Sequence, residues 1–127
     1  MEDKKNRYFK AINKFPKKRI TLTDEYLKVY KEHYIANRGG SGFAHFIAQK
    51  MESWMHKKVS SREGKDILEL GAGNLNHLKF EKSFVNYDII EPFKDLYQNN
   101  SQIKKIRNIF VSTSEVTHKY DKIISIA

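Results

Sequence analysis

The sequence predicts an α/β fold, a mostly parallel sheet with helices on both faces, preceded by N-terminal helices. Three observations predict it. Short apolar runs at Asp66 to Leu70, Val85 to Ile90, Ile106 to Val111 and Lys122 to Ala127 read as strands. The first three end in turn chemistry: Gly71-Ala72-Gly73, Glu91-Pro92 and Ser112-Thr113-Ser114. Stretches of helical spacing lie between them, and about fourteen residues separate the first two strands, near the minimum for a parallel crossover.

In chain order, Asn6 to Lys14 predicts a short helix burying Phe9 and Ile12, ended by Pro16, which disfavours helical geometry at Phe15. The second helix is better marked. Thr23 is its N-cap, Asp24 and Glu25 suit the first turn, Leu27, Tyr30 and Tyr34 recur at helical spacing, and Gly39-Gly40 closes it. Tyr26, Tyr30 and Tyr34 share one face, which either covers a flat ligand or, the favoured reading, packs the helix onto the domain. Arg38-Gly39-Gly40-Ser41-Gly42 is a mobile loop with one cation. It either folds over a bound carboxylate or simply breaks one helix and starts another with Ser41 as cap.

From Phe43 the strongest amphipathic helix begins. Phe43, Phe46, Ile47, Met51, Trp54 and Met55 form a stripe expected to be core, with Lys50, Glu52, Lys57 and Lys58 outside it. Ser60 to Lys65 is a polar turn into the first strand. After Gly73, Leu75, Leu78 and Phe80 bury one face of a short helix, and the second strand leads to Glu91. Pro92 suits the first position of a helix carrying Phe93, Leu96 and Tyr97, which Asn99-Asn100-Ser101 ends. Ser112 to Glu115 has the spacing of a capping box, and Tyr120-Asp121 introduces the fourth strand.

At 127 residues and 39% hydrophobic content the chain is one soluble domain's worth of sequence. It has no long apolar run to cross a membrane and no apolar leader for export, so the cytoplasm is the default. The absence of cysteine excludes disulfides, thiolate metal sites and a cysteine nucleophile, and the five histidines lack the helical pairing of a metal site. The net charge of +9 is concentrated in residues 1–20, where eight basic residues face two acids. From Asp66 onward eight basic residues balance eight acids. Residues 1–22 are therefore read as a basic arm and residues 23–127 as the domain. Such an arm can grip phosphates, but a solvated Lys-rich lead-in is the favoured reading.

A strand, a glycine turn, a second strand and a terminal acid form a nucleotide-binding arrangement. A dinucleotide requires three glycines so that its pyrophosphate reaches a helix N-terminus, and here Asn76 takes the third position. Glu69, just before the turn, repels a pyrophosphate but attracts an ammonium or orients the loop that holds one. Glu91, ending the next strand, can accept two hydrogen bonds from a ribose diol. Two acids without a phosphate cradle point to a nucleoside that carries an amino acid.

Over Phe43 to Ala127 the chain resembles the class I methyltransferases that use S-adenosylmethionine. The resemblance rests on Leu68-Glu69-Leu70-Gly71-Ala72-Gly73, on Tyr87-Asp88-Ile89-Ile90-Glu91-Pro92 and on Tyr120-Asp121-Lys122-Ile123-Ile124-Ser125. It implies a Rossmann-like methyltransferase fold. It places Glu69, Gly71, Ala72 and Gly73 against the methionine and ribose of S-adenosylmethionine, Glu91 and Pro92 at the ribose hydroxyls, and Thr113 and Ser114 beside the adenine. Arg38 joins this set as the candidate carboxylate partner. Leu75 stands where many members have another glycine, and Thr113 where an acid often meets the adenine amino group.

That fold has seven strands, and four are found, so the chain is expected to be the N-terminal portion of a longer methyltransferase domain. Catalytic and substrate residues are expected beyond Ala127, and the fourth-strand edge, with Ile123, Ile124 and Ile126, is expected to pair with a second copy. The expected acceptor is an oxygen or nitrogen of a small molecule or sugar. A nucleic acid gripped by the arm, or a non-catalytic binding module of the same fold, are the alternatives.

Overall fold

The computed structural model describes residues 23–38 and 40–126. The expected helix from Asn6 to Lys14, the basic arm and the side chain of Arg38 lie outside the described residues. The chain divides after Gly40 into two compact units. In the first, α1 (Asp24–Arg38) starts as expected: the Thr23 carbonyl accepts from Leu27 N–H at 3.0 Å and Thr23 Oγ1 accepts from Tyr26 N–H at 3.5 Å. The Tyr30 and Tyr34 rings stack at 6.3 Å, while Tyr26 is exposed.

The unit from Ser41 carries α2 (Phe43–Ser60), β1 (Asp66–Leu70), β2 (Asn86–Ile90), α3 (Lys94–Tyr97), β3 (Asn108–Phe110) and β4 (Lys122–Ser125). The four strands form one parallel sheet in the order β3-β2-β1-β4. The chain thus builds outward from β1 to β3 and then crosses to the other side of β1. Strands 2 to 4 are shorter than the apolar runs that announce them: Val85 stands outside β2, Ile106, Arg107 and Val111 outside β3, and Ile126 outside β4.

Register puts Ile67, Glu69, Tyr87, Ile89, Lys122 and Ile124 on one face of the sheet. Leu75 and Leu78 complete that core, with Val59, Phe84, Ile103 and Ile106 at its border. Gly64 permits a close approach here: a Cβ on it would lie 2.5 Å from the Cβ of Lys122. The crossover after Gly73 is not the expected short helix but a series of turns with one 3-10 turn, Leu78–Phe80, which buries Leu78 and leaves Phe80 half-buried.

The stripe on α2 departs most from expectation. Phe43 is 79% exposed and Trp54 62%, and Phe46, Ile47, Met51 and Met55 are exposed as well. The single buried residue of the helix is His56, about 200° around the helix from Trp54. Polar bonds decide the orientation: His56 Nδ1 meets His77 Nδ1 at 2.9 Å, and its ring stacks on Phe80 at 5.0 Å. The cap of α2 is Gly42 (φ 101°) rather than Ser41.

On the other face of the sheet Asp88 is wholly buried. Arg107 Nε donates to Asp88 Oδ1 at 3.0 Å and its Nη2 to Oδ2 at 2.7 Å; Asn108 N–H and Tyr120 Oη donate at 2.9 and 2.8 Å. Burial works against the charge, yet the bonds from Arg107, Tyr120 and Asn108 outweigh it and hold the carboxyl below its usual range. A depressed carboxyl stabilises the fold above its unfolded value, near pH 4, and that stabilisation is lost as pH falls through the folded value. Asp88→Ala is therefore expected to lower stability by about 2–3 kcal/mol at pH 7. Urea unfolding should show the gap narrowing as pH falls below about 4; a gap that acid leaves unchanged refutes this assignment.

Among the described residues no helix is long and apolar enough to cross a membrane.

Candidate functional site

The parallel strands deliver the candidate residues to one rim. Leu70 ends β1, and the chain then passes through three alternate left-handed residues, Gly71 (φ 68°), Gly73 (φ 54°) and Leu75 (φ 65°). Glycine adopts this conformation freely, whereas a leucine does so at a cost of about 1–2 kcal/mol. Leu75 is held there by its side chain, which is fully buried in the core.

The turn is pinned at each step. Gly71 N–H donates to Ile90 O at 2.9 Å, Gly73 N–H to Glu91 Oε2 at 2.8 Å, and Asn100 Nδ2 to Asn74 O at 2.7 Å. Glu91 is buried and its Oε1 accepts from Phe93 N–H at 2.9 Å. It thus clamps the β1 turn to the start of the segment after β2, with Pro92 between its two anchor points. One backbone N–H on each oxygen leaves lone pairs on both for a further donor. No α-helix begins between the glycine turn and β2, so the turn itself presents no helix N-terminus to a pyrophosphate.

Ala72 is buried beneath the turn, while Gly71 is exposed, with nothing within 4 Å of where its Cβ would stand. Thr113 and Ser114 lie exposed in a 3-10 turn directly after β3, on the same rim. Ser112 Oγ accepts from Ser114 N–H at 3.3 Å, but Glu115 Oε2 takes Val111 N–H at 3.0 Å rather than the cap residue's, so the box closes one residue early. The rim sits where the strand order reverses, between β1 and β4, the position at which open parallel sheets bind ligands.

Glu69 points inward. It is buried, and Tyr87 Oη donates to its Oε2 at 2.7 Å. Burial, reinforced by Glu81 and Glu91, pushes its carboxyl up to about 7 against the opposing bond from Tyr87. Burial also raises the Tyr87 phenol above its usual range, so the tyrosine keeps its proton and remains the donor to Glu69.

Sequence reading missed two groups. Asn100 carried only the signal of a helix stop, yet it holds Asn74. A buried chain of ionisable groups runs from His56 to His77, from His77 Nε2 to Glu81 Oε1 at 2.7 Å, and from Glu81 to Lys122 Nζ at 2.6 Å. Its members are scattered over more than sixty positions, and only His77 and Glu81, four apart, are close in sequence. Among the described residues no group of three or more acids and histidines is arranged to hold a metal ion.

Compared with protein-family models, with curated proteins and with solved structures, the chain matches none.

Proposed function

We propose that the sheet-bearing unit binds S-adenosylmethionine at the glycine-turn rim and is the cofactor-binding half of a methyltransferase, acting on an oxygen or nitrogen of a small molecule or sugar. The observation that carries this reading is the Glu91 clamp. A buried carboxylate fixes Gly73 beneath an open Gly71, at the strand-order reversal, and keeps lone pairs in reserve.

In this reading the residues divide the work by their placement. The exposed backbone at Gly71 lies against the methionine and ribose. Glu91 accepts the ribose hydroxyls, and the bend at Pro92, closed by the Phe93 N–H bond to Glu91 Oε1, keeps its carboxylate aimed at them. Thr113 and Ser114 flank the adenine. Glu69, behind the turn, supplies negative field toward the ligand ammonium. The bound cofactor brings an already activated methyl sulfonium, so what is asked of the chain is alignment rather than acid or base strength.

The test is calorimetry with S-adenosylhomocysteine. The wild-type chain is expected to bind it, and Gly71→Ala to bind about tenfold more weakly because its Cβ enters the ligand's space. The folded state should lose only the left-handed strain, about 1–2 kcal/mol. Glu91→Ala should abolish binding but also frees two backbone N–H groups, so Gly71→Ala is the cleaner variant. A wild-type chain with no affinity, or a Gly71→Ala chain with unchanged affinity, refutes the proposal.

A further inference from the structure

At the amino-terminal rim of the sheet, opposite the glycine turn, lies a cavity of about 980 Å³. Its walls are the last turn of α2, the loop into β1, the segment following Leu78 and the start of β4. Five exposed cations line it: Lys57, Arg62, Lys65, Lys79 and Lys82.

Two of the three acids in its wall are already engaged. Glu81 Oε1 is held by His77 and Lys122 at 2.7 and 2.6 Å, and Asp121 Oδ2 accepts from the backbone N–H groups of Lys65 and Asp66 at 3.3 and 3.2 Å. Glu63 is the third. The carboxyl end of α2, which ordinarily repels anions, is also covered. Lys57 O accepts from Ser61 N–H, Lys58 O from Ser61 Oγ and Val59 O from Arg62 N–H, at 3.1, 2.7 and 3.3 Å. The field facing the cavity is therefore positive. Its one aromatic wall, Phe80, is backed by the parallel His56 ring at 5.0 Å and carries the Lys79 ammonium at 5.1 Å.

We infer that this cavity is a second ligand site, one that binds a chain of phosphate groups. A single small anion needs neither this volume nor five cations, whereas ligand sites for larger molecules run from about 300 to 1,000 Å³. Cations drawn from three separate segments suit successive phosphates of a polyphosphate or a nucleic-acid strand, the chemistry the two sources share. Five residues of β1 separate the two rims by about 13–17 Å, so a nucleotide held here leaves the glycine turn free. The inference stands whether or not the turn binds S-adenosylmethionine.

The probe is inorganic tripolyphosphate, titrated calorimetrically into the full chain at low salt. Saturable binding is expected, and Lys79→Gln/Lys82→Gln should weaken it at least tenfold. A control pair, Lys94→Gln/Lys104→Gln, removes the same charge away from the cavity and should change affinity less than twofold. Both pairs leave the basic N-terminal residues untouched, and both alter only exposed side chains. Displacement of tripolyphosphate by a short single-stranded oligonucleotide identifies the strand as the source; displacement by a nucleoside triphosphate alone identifies the nucleotide. Equal weakening by the two pairs, or binding that does not saturate, overturns the site in favour of diffuse surface charge.

Discussion

Glu69→Gln is expected to stabilise the protein by about 3 kcal/mol at pH 8 while weakening its affinity for S-adenosylhomocysteine. The native carboxyl titrates at about 7 against an ordinary value of 4.5, chiefly because it is buried. The folded state therefore keeps a proton that the unfolded chain releases. Stability falls as pH rises from about 4.5 to 7, and the penalty is complete above that window. Glutamine removes the penalty, and its side-chain oxygen still accepts the bond that Tyr87 Oη makes at 2.7 Å. Urea unfolding at pH 8 and pH 5 provides the check: the gain should be large at the first and small at the second. A variant less stable than wild type at pH 8 would show that the carboxylate is net favourable to the fold. Weakened ligand affinity in a stabilised chain is the signature of an acid retained for function.

Lys122→Met is expected to cost about 3–5 kcal/mol at pH 8, because it strands the buried carboxylate of Glu81. Methionine keeps the bulk of the lysine stem beside Gly64, so the loss is mainly electrostatic. The pH dependence identifies the mechanism. Burial, with Lys122 and His56 adding, holds His77 below its ordinary value in the wild type, so the wild type loses stability as pH falls through that range. Without Lys122, His77 sits 2.7 Å from an unneutralised carboxylate with one opposing charge removed, so it is lowered less than in the wild type. Protonating His77 as pH falls below about 6.5 then costs the variant less stability than the wild type. The gap between wild type and variant should narrow from pH 8 to pH 5.5. A gap independent of pH would mean that His77 does not take over the role of the lysine.

Much of the rim was legible because its signals are local. A five-residue apolar strand, a glycine-alanine-glycine turn and an acid at the end of the next strand are each written in adjacent residues, and β1 begins and ends where the sequence places it. The crossover was less legible: Leu75 and Leu78 are buried as expected, but alternate left-handed residues at Gly71, Gly73 and Leu75 prevent an early helix. Asn100 was invisible as a support for the turn, since its bond to Asn74 spans twenty-six positions.

The sequence by itself determined the four strands, their parallel crossovers and the glycine turn after the first, because hydrophobic period and turn residues act over a few positions. Only the tertiary structure decided which face of α2 turns inward. Periodicity marks a stripe but not its partner, and here the ring contacts of His56 with His77 and Phe80 outweigh the stripe. It also decided that Glu69 lies behind the turn rather than on it, and that five dispersed cations meet around one cavity. Charges distant in sequence acquire a common field only when folding sets their distances.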